Sequence, residues 1–202
     1  MTDETKQAVV LIHGYGVPGL IMTPLGLRLR RCGLQPVNFS YRDIRATLAE
    51  NAQRLARFLA GIPWQRPHLV GHSLGGLLIL RLLADHPDAR VDRIVLLGSP
   101  CAGSFVARWF DARSATRWIA GGKSVRSGIL GERPEWHGGQ ELGVVAGTRS
   151  LGLGLLIPDL PRPNDGLVTL DEALLPGASD SIALKVSHMG MLVSARVAHQ
   201  IC

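Results

Sequence analysis

Cysteine is scarce in this chain: three residues, Cys32, Cys101 and Cys202, odd in number and widely separated. That spacing suggests neither a disulfide framework nor a metal-binding motif, and it favours a reducing compartment, with the cytoplasm as the expected location. Long apolar runs are lacking too. The longest fall well short of the roughly 20 residues a membrane span needs. A secretory leader is not expected either. Thr2 to Gln7 is polar, and the apolar Ala8 to Ile12 is shorter than a signal core and has no basic flank or small-residue cleavage site. The net charge of +6 comes from Arg scattered along the chain, with one short cluster at Arg28, Arg30 and Arg31. No nucleic-acid recognition motif accompanies it, so no nucleic-acid partner is expected. Hydrophobic content of 46% with 24 Gly and 12 Pro excludes a disordered or fibrous class. The 202 residues suit one domain, 1–202, with a sizeable core.

What is present is organised around His68 to Leu78, HLVGHSLGGLL. Apolar Leu69 and Val70 run into Gly71, His72, Ser73, Leu74, Gly75, Gly76 and out through Leu77 to Leu80, which reads as strand, sharp turn and buried helix. This is a GxSxG nucleophile elbow in its required context. Ser73 at the apex would be strained, with glycines two residues to either side because strand and helix pass too close for a side chain. In so glycine-rich a chain the pattern alone is common by chance, so its flanks and partners must decide.

Before the elbow, Ala8 to Ile12 (AVVLI) reads as a central strand delivering His13, Gly14, Tyr15, Gly16 to a glycine-rich loop. Leu20 to Cys32 reads as an amphipathic helix stopped at Gly33 and weakened at its start by Pro24. Pro36 to Ser40 is a short strand, and Ile44 to Leu59 keeps helical spacing. After the elbow helix, Asp92 to Leu97, Leu142 to Ala146 and Ser181 to Val186 are further strands, and Met191 to Ile201 is a closing helix. Strands alternating with helices in this way predict a three-layer α/β/α sandwich on a mostly parallel six-stranded sheet, with ligands at the C-terminal strand ends.

Ala102 to Gly139 interrupts the rhythm. It holds three of the four Trp residues, with Phe105, Trp109, Phe110, Trp118 and Ile119 at loosely helical intervals. It is either a small cap (102–139) whose aromatic face covers a pocket, or a crossover helix whose aromatics pack on the sheet. The long loop from Gly147 to Asn164 then leads to Asp165, and loops of such length in a compact domain are often functional.

A serine hydroxyl needs a neutral imidazole to take its proton, and the imidazole needs a carboxylate to fix its tautomer. Well downstream of Ser73 the histidines are His137, His188 and His199. His188 immediately follows a strand, where it can reach the sheet's C-terminal edge; His137 sits in an irregular stretch and His199 near the C-terminus. Candidate acids are Asp159, Asp165, Asp171 and Asp180. Asp165, in Pro163, Asn164, Asp165, Gly166, has the turn chemistry to present a carboxylate, and Asp159 is next.

The order Ser, Asp, His, with HGYG at His13 to Gly16, GHSLGG at Gly71 to Gly76, and NDGLV and SHMGML at Asn164 and Ser187, resembles the α/β-hydrolase superfamily, and within it the small bacterial lipases and esterases. The resemblance covers essentially the whole chain. It implies a compact α/β-hydrolase fold with a short cap or none, Ser73 as nucleophile, Asp165 as orienter and His188 as base. It also implies an oxyanion hole made by the backbone N–H groups of Tyr15 and Leu74, and a structural role for His13. The short cap, without a cysteine pair, departs from the larger lipases. The activity to expect is cleavage of carboxylic esters with apolar acyl groups through an acyl-serine, with no cofactor and no metal. An acyltransferase or thioesterase could use the same triad, and a non-catalytic binding protein is a more distant reading. Tyr15, Phe105, Trp109 and Met189 are candidate substrate-binding residues; Leu74 and Met191 could line the pocket as well. The expected partner is a small ester or lipid-like substrate, with weak contact to a membrane surface through the basic, Trp-bearing face and a monomer as default.

Overall fold

The computed structural model describes residues 7–137 and 139–202. The polar N-terminal stretch through Lys6, on which the expectation of no leader partly rested, lies outside them. Six strands form one sheet: β1 Ala8–Ile12, β2 Gln35–Phe39, β3 His68–His72, β4 Ile94–Leu97, β5 Leu142–Gly147 and β6 Asp180–Leu184. Their order is β2-β1-β3-β4-β5-β6, and all five pairings are parallel. Every strand therefore ends on the same edge. Register brings the chemistry together there: Ile12 of β1 lies beside Gly71 of β3, and His72 beside Leu97 of β4. The loops carrying HGYG, Ser73, Asp165 and His188 leave from neighbouring strand ends.

The helices cover both faces. On one lie α2 Leu48–Gly61, α3 Leu74–Asp85 and two short helices, α4 Phe105–Asp111 and α5 Lys123–Gly128; on the other lie α1 Thr23–Arg30 and α7 Ala195–Ile201. Alternate strand residues feed two separate cores, as side chains on successive strand positions must. Val10, Ile12, Leu69, Ile94 and Leu96 pack with Leu48, Leu55, Leu77 and Leu78 on the first face, and Val9, Leu11, Val70, Leu97 and Val145 pack with Leu25, Leu29, Val197 and Ala198 on the second. Helix α3 buries Leu74, Leu77, Leu78, Ile79 and Leu82 completely. At about 1.5–3 kcal/mol for each fully buried aliphatic side chain, this one helix anchors the elbow firmly.

Several boundaries differ from those read in the sequence. Helix α2 begins at Leu48, not Ile44, because Thr47 and Glu50 form a capping box: the Glu50 N–H donates to Thr47 Oγ1 at 3.2 Å and the Thr47 N–H to Glu50 Oε2 at 2.7 Å. Ile44 is exposed in the preceding turn. The expected helix from Leu20 to Cys32 is a 3-10 turn, Gly19–Met22, followed by α1, and Pro24 sits in the first turn of α1, where its missing N–H costs nothing. Likewise Met189–Val193 is a 3-10 turn ahead of α7. A short α6, Leu170–Ala173, follows the acid loop with its own capping box from Thr169 and Glu172.

The expectation of no disulfide is overturned. Cys32, just past α1, and Cys202, just past α7, form a disulfide with Cα atoms 6.1 Å apart. Their separation of 170 residues hid the pairing in the sequence; α1 and α7 packing on the same sheet face brings them together. The argument for a reducing compartment loses its ground with it. Cys101 is free, and burial pushes its thiol up to about 12, leaving it protonated and unreactive. No helix among the described residues is long and apolar enough to cross a membrane.

Candidate active site

Ser73 stands at the turn from β3 into α3 with φ 54° and ψ −122°, a conformation that non-glycine residues adopt only where the surroundings enforce it. The enforcement is visible. Its N–H donates to Leu97 O at 2.8 Å and its carbonyl accepts from Gly76 N–H at 3.0 Å. A Cβ at Gly71 would lie 2.6 Å from Gly76 N, and one at Gly75 would lie 2.6 Å from His13 O, so only glycine lets strand and helix approach this closely.

Asp165 and His188 meet behind this turn. The His188 Nδ1–H donates to Asp165 Oδ2 at 2.7 Å, with side chains 5% and 1% exposed. The second carboxylate oxygen accepts the N–H groups of Leu167 at 2.9 Å and Val168 at 2.8 Å, and Asp165 O accepts the His188 N–H at 2.8 Å. Asp165 is thereby saturated with donors and aimed at one imidazole. Asn164 closes the same turn, donating to Pro161 O at 2.8 Å and accepting from Gly166 N–H at 2.9 Å. The competing candidates are elsewhere. Asp159, Asp171 and Asp180 are exposed, as are His137 and His199, and His137 has only a 4.0 Å approach to Glu135.

A cavity of about 200 Å³ opens at Ser73 and His188. Of the wall residues suggested by the sequence, Tyr15, Leu74 and Met189 line it. Phe105 and Trp109 do not, which corrects that part of the reading. Helix α4 turns Val106, Ala107 and Phe110 inward, so Phe105 and Trp109, four residues apart, share the other side. Trp109 packs edge-on against Phe110 under the Arg113 guanidinium, 3.8 Å from the ring centre. Ser104, Phe110, Ile119, Ala120, Val125 and Ile129 contribute a wall of the cavity from the segment between β4 and β5, but none of that segment's tryptophans reaches the lining. Trp118 is exposed, and Trp136 donates to Gly177 O at 3.4 Å. Met191 is wholly buried in the second core rather than in the wall.

The loop after β1 is held by side chains. The His13 Nδ1–H donates to Gly14 O at 2.7 Å, its Nε2 accepts the Tyr41 N–H at 3.3 Å, and its ring stacks on Tyr41 at 4.4 Å. Burial lowers its pKa, so it stays neutral and structural. Asp43 Oδ2 accepts the Gly16 N–H, and Tyr15 Oη accepts the Gly122 N–H at 3.2 Å, joining this loop to the segment between β4 and β5. Among the described residues, the N–H groups of Tyr15 and Leu74 have no hydrogen-bond partner.

This is an α/β-hydrolase fold. A family profile described as alpha/beta hydrolase fold matches residues 36–121. The crystal structure of mature lipase BlEst2 from Bacillus licheniformis superposes with a TM-score of 0.81 at 21% identity, over 100% of this chain and 92% of that one. Among curated proteins, one named as a carbamate hydrolase, RutD, of Variovorax paradoxus is 35% identical over 121 residues, 54% of this chain and 44% of its own. The pimeloyl-[acyl-carrier protein] methyl ester esterase of Aeromonas hydrophila is 30% identical over 124 residues, 59% of this chain and 48% of its own. The chain thus spans about half the length, or less, of these curated relatives. The names of these two relatives describe hydrolases acting on different substrates.

Three residues that hold this site together were not singled out in the sequence: Asp43, His72 and Glu172. Asp43 lies in an unremarkable Tyr-Arg-Asp turn. Glu172 is legible only as the third residue after Thr169, the capping-box spacing; it also accepts the Phe105 N–H and so ties the segment between β4 and β5 to the acid loop. His72 was visible only as the variable position of the elbow.

Proposed function

We propose that the chain is a serine hydrolase cleaving carboxylic esters with apolar acyl groups. The observation that carries this reading is the buried 2.7 Å His188–Asp165 hydrogen bond beside a strained Ser73 that opens onto an apolar cavity. Asp165 holds the His188 proton on Nδ1, leaving Nε2 free to accept the Ser73 proton as the hydroxyl attacks the ester carbonyl. Charge developing on the carbonyl oxygen meets the unpartnered N–H groups of Tyr15 and Leu74 and the positive end of α3. The imidazolium gives its proton to the departing alkoxide. The acyl-Ser73 ester is then attacked by water, activated by the same imidazole, and no step requires a cofactor.

The cavity walls support an apolar acyl group. Val17, Val106, Phe110, Val125, Leu167 and Val168 surround the reactive serine, and among the described residues no Lys, Arg, Asp or Glu lines the cavity. Taking a methylene group to be about as large as a water's ~30 Å³ share of the liquid, the space accepts on the order of six or seven such groups. Short to medium acyl chains fit. Exposed Leu151, Leu155 and Leu156 flank Leu153, which lines the cavity, so weak contact with a lipid surface is part of the proposal. Thioester hydrolysis and acyl transfer to an alcohol remain the second reading, since the site leaves the acceptor open.

Purified protein should hydrolyse p-nitrophenyl butyrate and hexanoate, and Ser73→Ala should abolish this. Undiminished turnover by that variant overturns the proposal. A larger rate with thioesters, or with an added alcohol acceptor, selects the second reading.

A further inference from the structure

His72, the residue before Ser73, is wholly buried and has no part in the reaction as proposed above. Its Nε2 lies 3.1 Å from the backbone carbonyl of His188. A carbonyl oxygen can only accept, so Nε2 carries the proton and donates. The two imidazole rings also touch, with centroids 4.6 Å apart and planes inclined at 49°. On the far side of the ring, Nδ1 is buried without a partner and faces the loop after β1, where a Cβ on Gly14 would come within 3.2 Å of it. His72 therefore bridges the elbow and the base loop, and is wedged against the loop that carries Tyr15.

We propose that His72 is a positioning residue for His188, its Nε2–H holding the His188 main chain so that the base faces the serine next to His72 in sequence. The inference rests on the reading of Ser73 and His188 as nucleophile and base. His188 lies beyond the end of β6 at Leu184, as the residue that precedes the 3-10 turn Met189–Val193, and such a short turn by itself fixes a ring poorly. Asp165 restrains it from one side, through the imidazole Nδ1–H and the backbone N–H. From the other side His72 opposes rotation of the residue about that pair, donating to the carbonyl and touching the imidazole with its own ring. Because His72 and Ser73 share one peptide bond, whatever fixes His72 sets nucleophile and base in one frame. A neutral ring is required there, since a second cation against His188 would oppose the imidazolium of the transition state. Burial and the adjacent His188 push the His72 pKa down to about 3, so the ring meets this condition.

The test uses side chains whose amide groups reach different atoms. Gln places an amide N–H near the position of imidazole Nε2, Asn places one near Nδ1, and Phe fills the space with no donor. Steady-state kinetics on p-nitrophenyl butyrate should show His72→Gln within about threefold of wild-type kcat, and His72→Asn and His72→Phe about five- to tenfold or more below it, all with KM little changed. Labelling of Ser73 by a fluorophosphonate should slow by the same factors. Thermal unfolding of each variant separates these effects from loss of fold, and if His72→Phe does not fold, the Gln and Asn pair decides. Equal kcat in the Gln and Asn variants, or a loss expressed only in Tm, overturns the inference. Failure of the wild-type protein to label at Ser73 would instead overturn the proposed function.

Discussion

The imidazole of His188 and the carboxylate of Asp165 meet at 2.7 Å, and each is almost wholly removed from water. In so dry a place the carboxylate, among the described residues, has no competing partner except the N–H groups of Leu167 and Val168, which occupy its other oxygen. The geometry sets one tautomer of His188. Replacing the acid should cost accordingly: Asp165→Asn, which keeps the shape and allows the wrong tautomer, should lower kcat by about 10³- to 10⁴-fold. Asp159→Ala should leave it within about twofold. Parallel measurement of the two variants checks the assignment, and the reverse pattern would move the acid to the loop.

Asp43 offers a test of the loop after β1. Its carboxylate accepts the Gly16 N–H one residue beyond Tyr15, whose own N–H is proposed to face the oxyanion. Removing it in Asp43→Ala frees the loop and should lower kcat by roughly tenfold with KM nearly constant, because the lost contact matters most when charge develops. A change confined to KM would assign Asp43 to substrate binding instead.

The Cys32–Cys202 bridge ties α1 to α7 across a loop of 170 residues. Reduction, or Cys202→Ser, should destabilise the fold by about 2–5 kcal/mol, the bridge acting mainly by restricting the unfolded chain. Denaturant unfolding with and without reductant measures the difference. Activity under native conditions should survive, since the bridge lies on the face opposite the cavity walls of α4 and α5.

Stability should fall in acid for a nameable reason. Burial holds the His72 pKa near 3 in the folded chain, against about 6.5 when unfolded. Between those values the unfolded chain binds a proton that the folded chain does not, so stability is full above about pH 6.5 and declines as pH falls toward 3. The span corresponds to on the order of 3 to 5 kcal/mol. Buried His13 is shifted in the same direction. Unfolding free energy measured from pH 7 to pH 4 should therefore slope less steeply in His72→Gln than in wild type; parallel slopes would contradict the assignment.

Much of this architecture is legible in the sequence because parallel strands buried on both faces read as unbroken apolar runs, as AVVLI and IVLL do, and because the strained elbow tolerates only glycine at Gly71 and Gly75. Ser73, Asp165 and His188 stand out since each follows such a run or sits in a distinctive turn. Other features depend on distance in space rather than on local pattern. Nothing near Cys32 announces Cys202, and nothing in GHSLG says that its histidine reaches a carbonyl 116 residues away. Ring size points to Phe105 and Trp109 as pocket walls. Helical phase instead presents the smaller Val106 and Ala107, with Phe110.

The most direct test is to trap the intermediate. Protein mixed with p-nitrophenyl butyrate and quenched in acid within the first turnover should carry one butyryl group on the peptide containing Ser73, and Ser73→Ala should carry none and release no p-nitrophenol above background. A butyryl group on another residue, or full turnover by Ser73→Ala, would contradict the account.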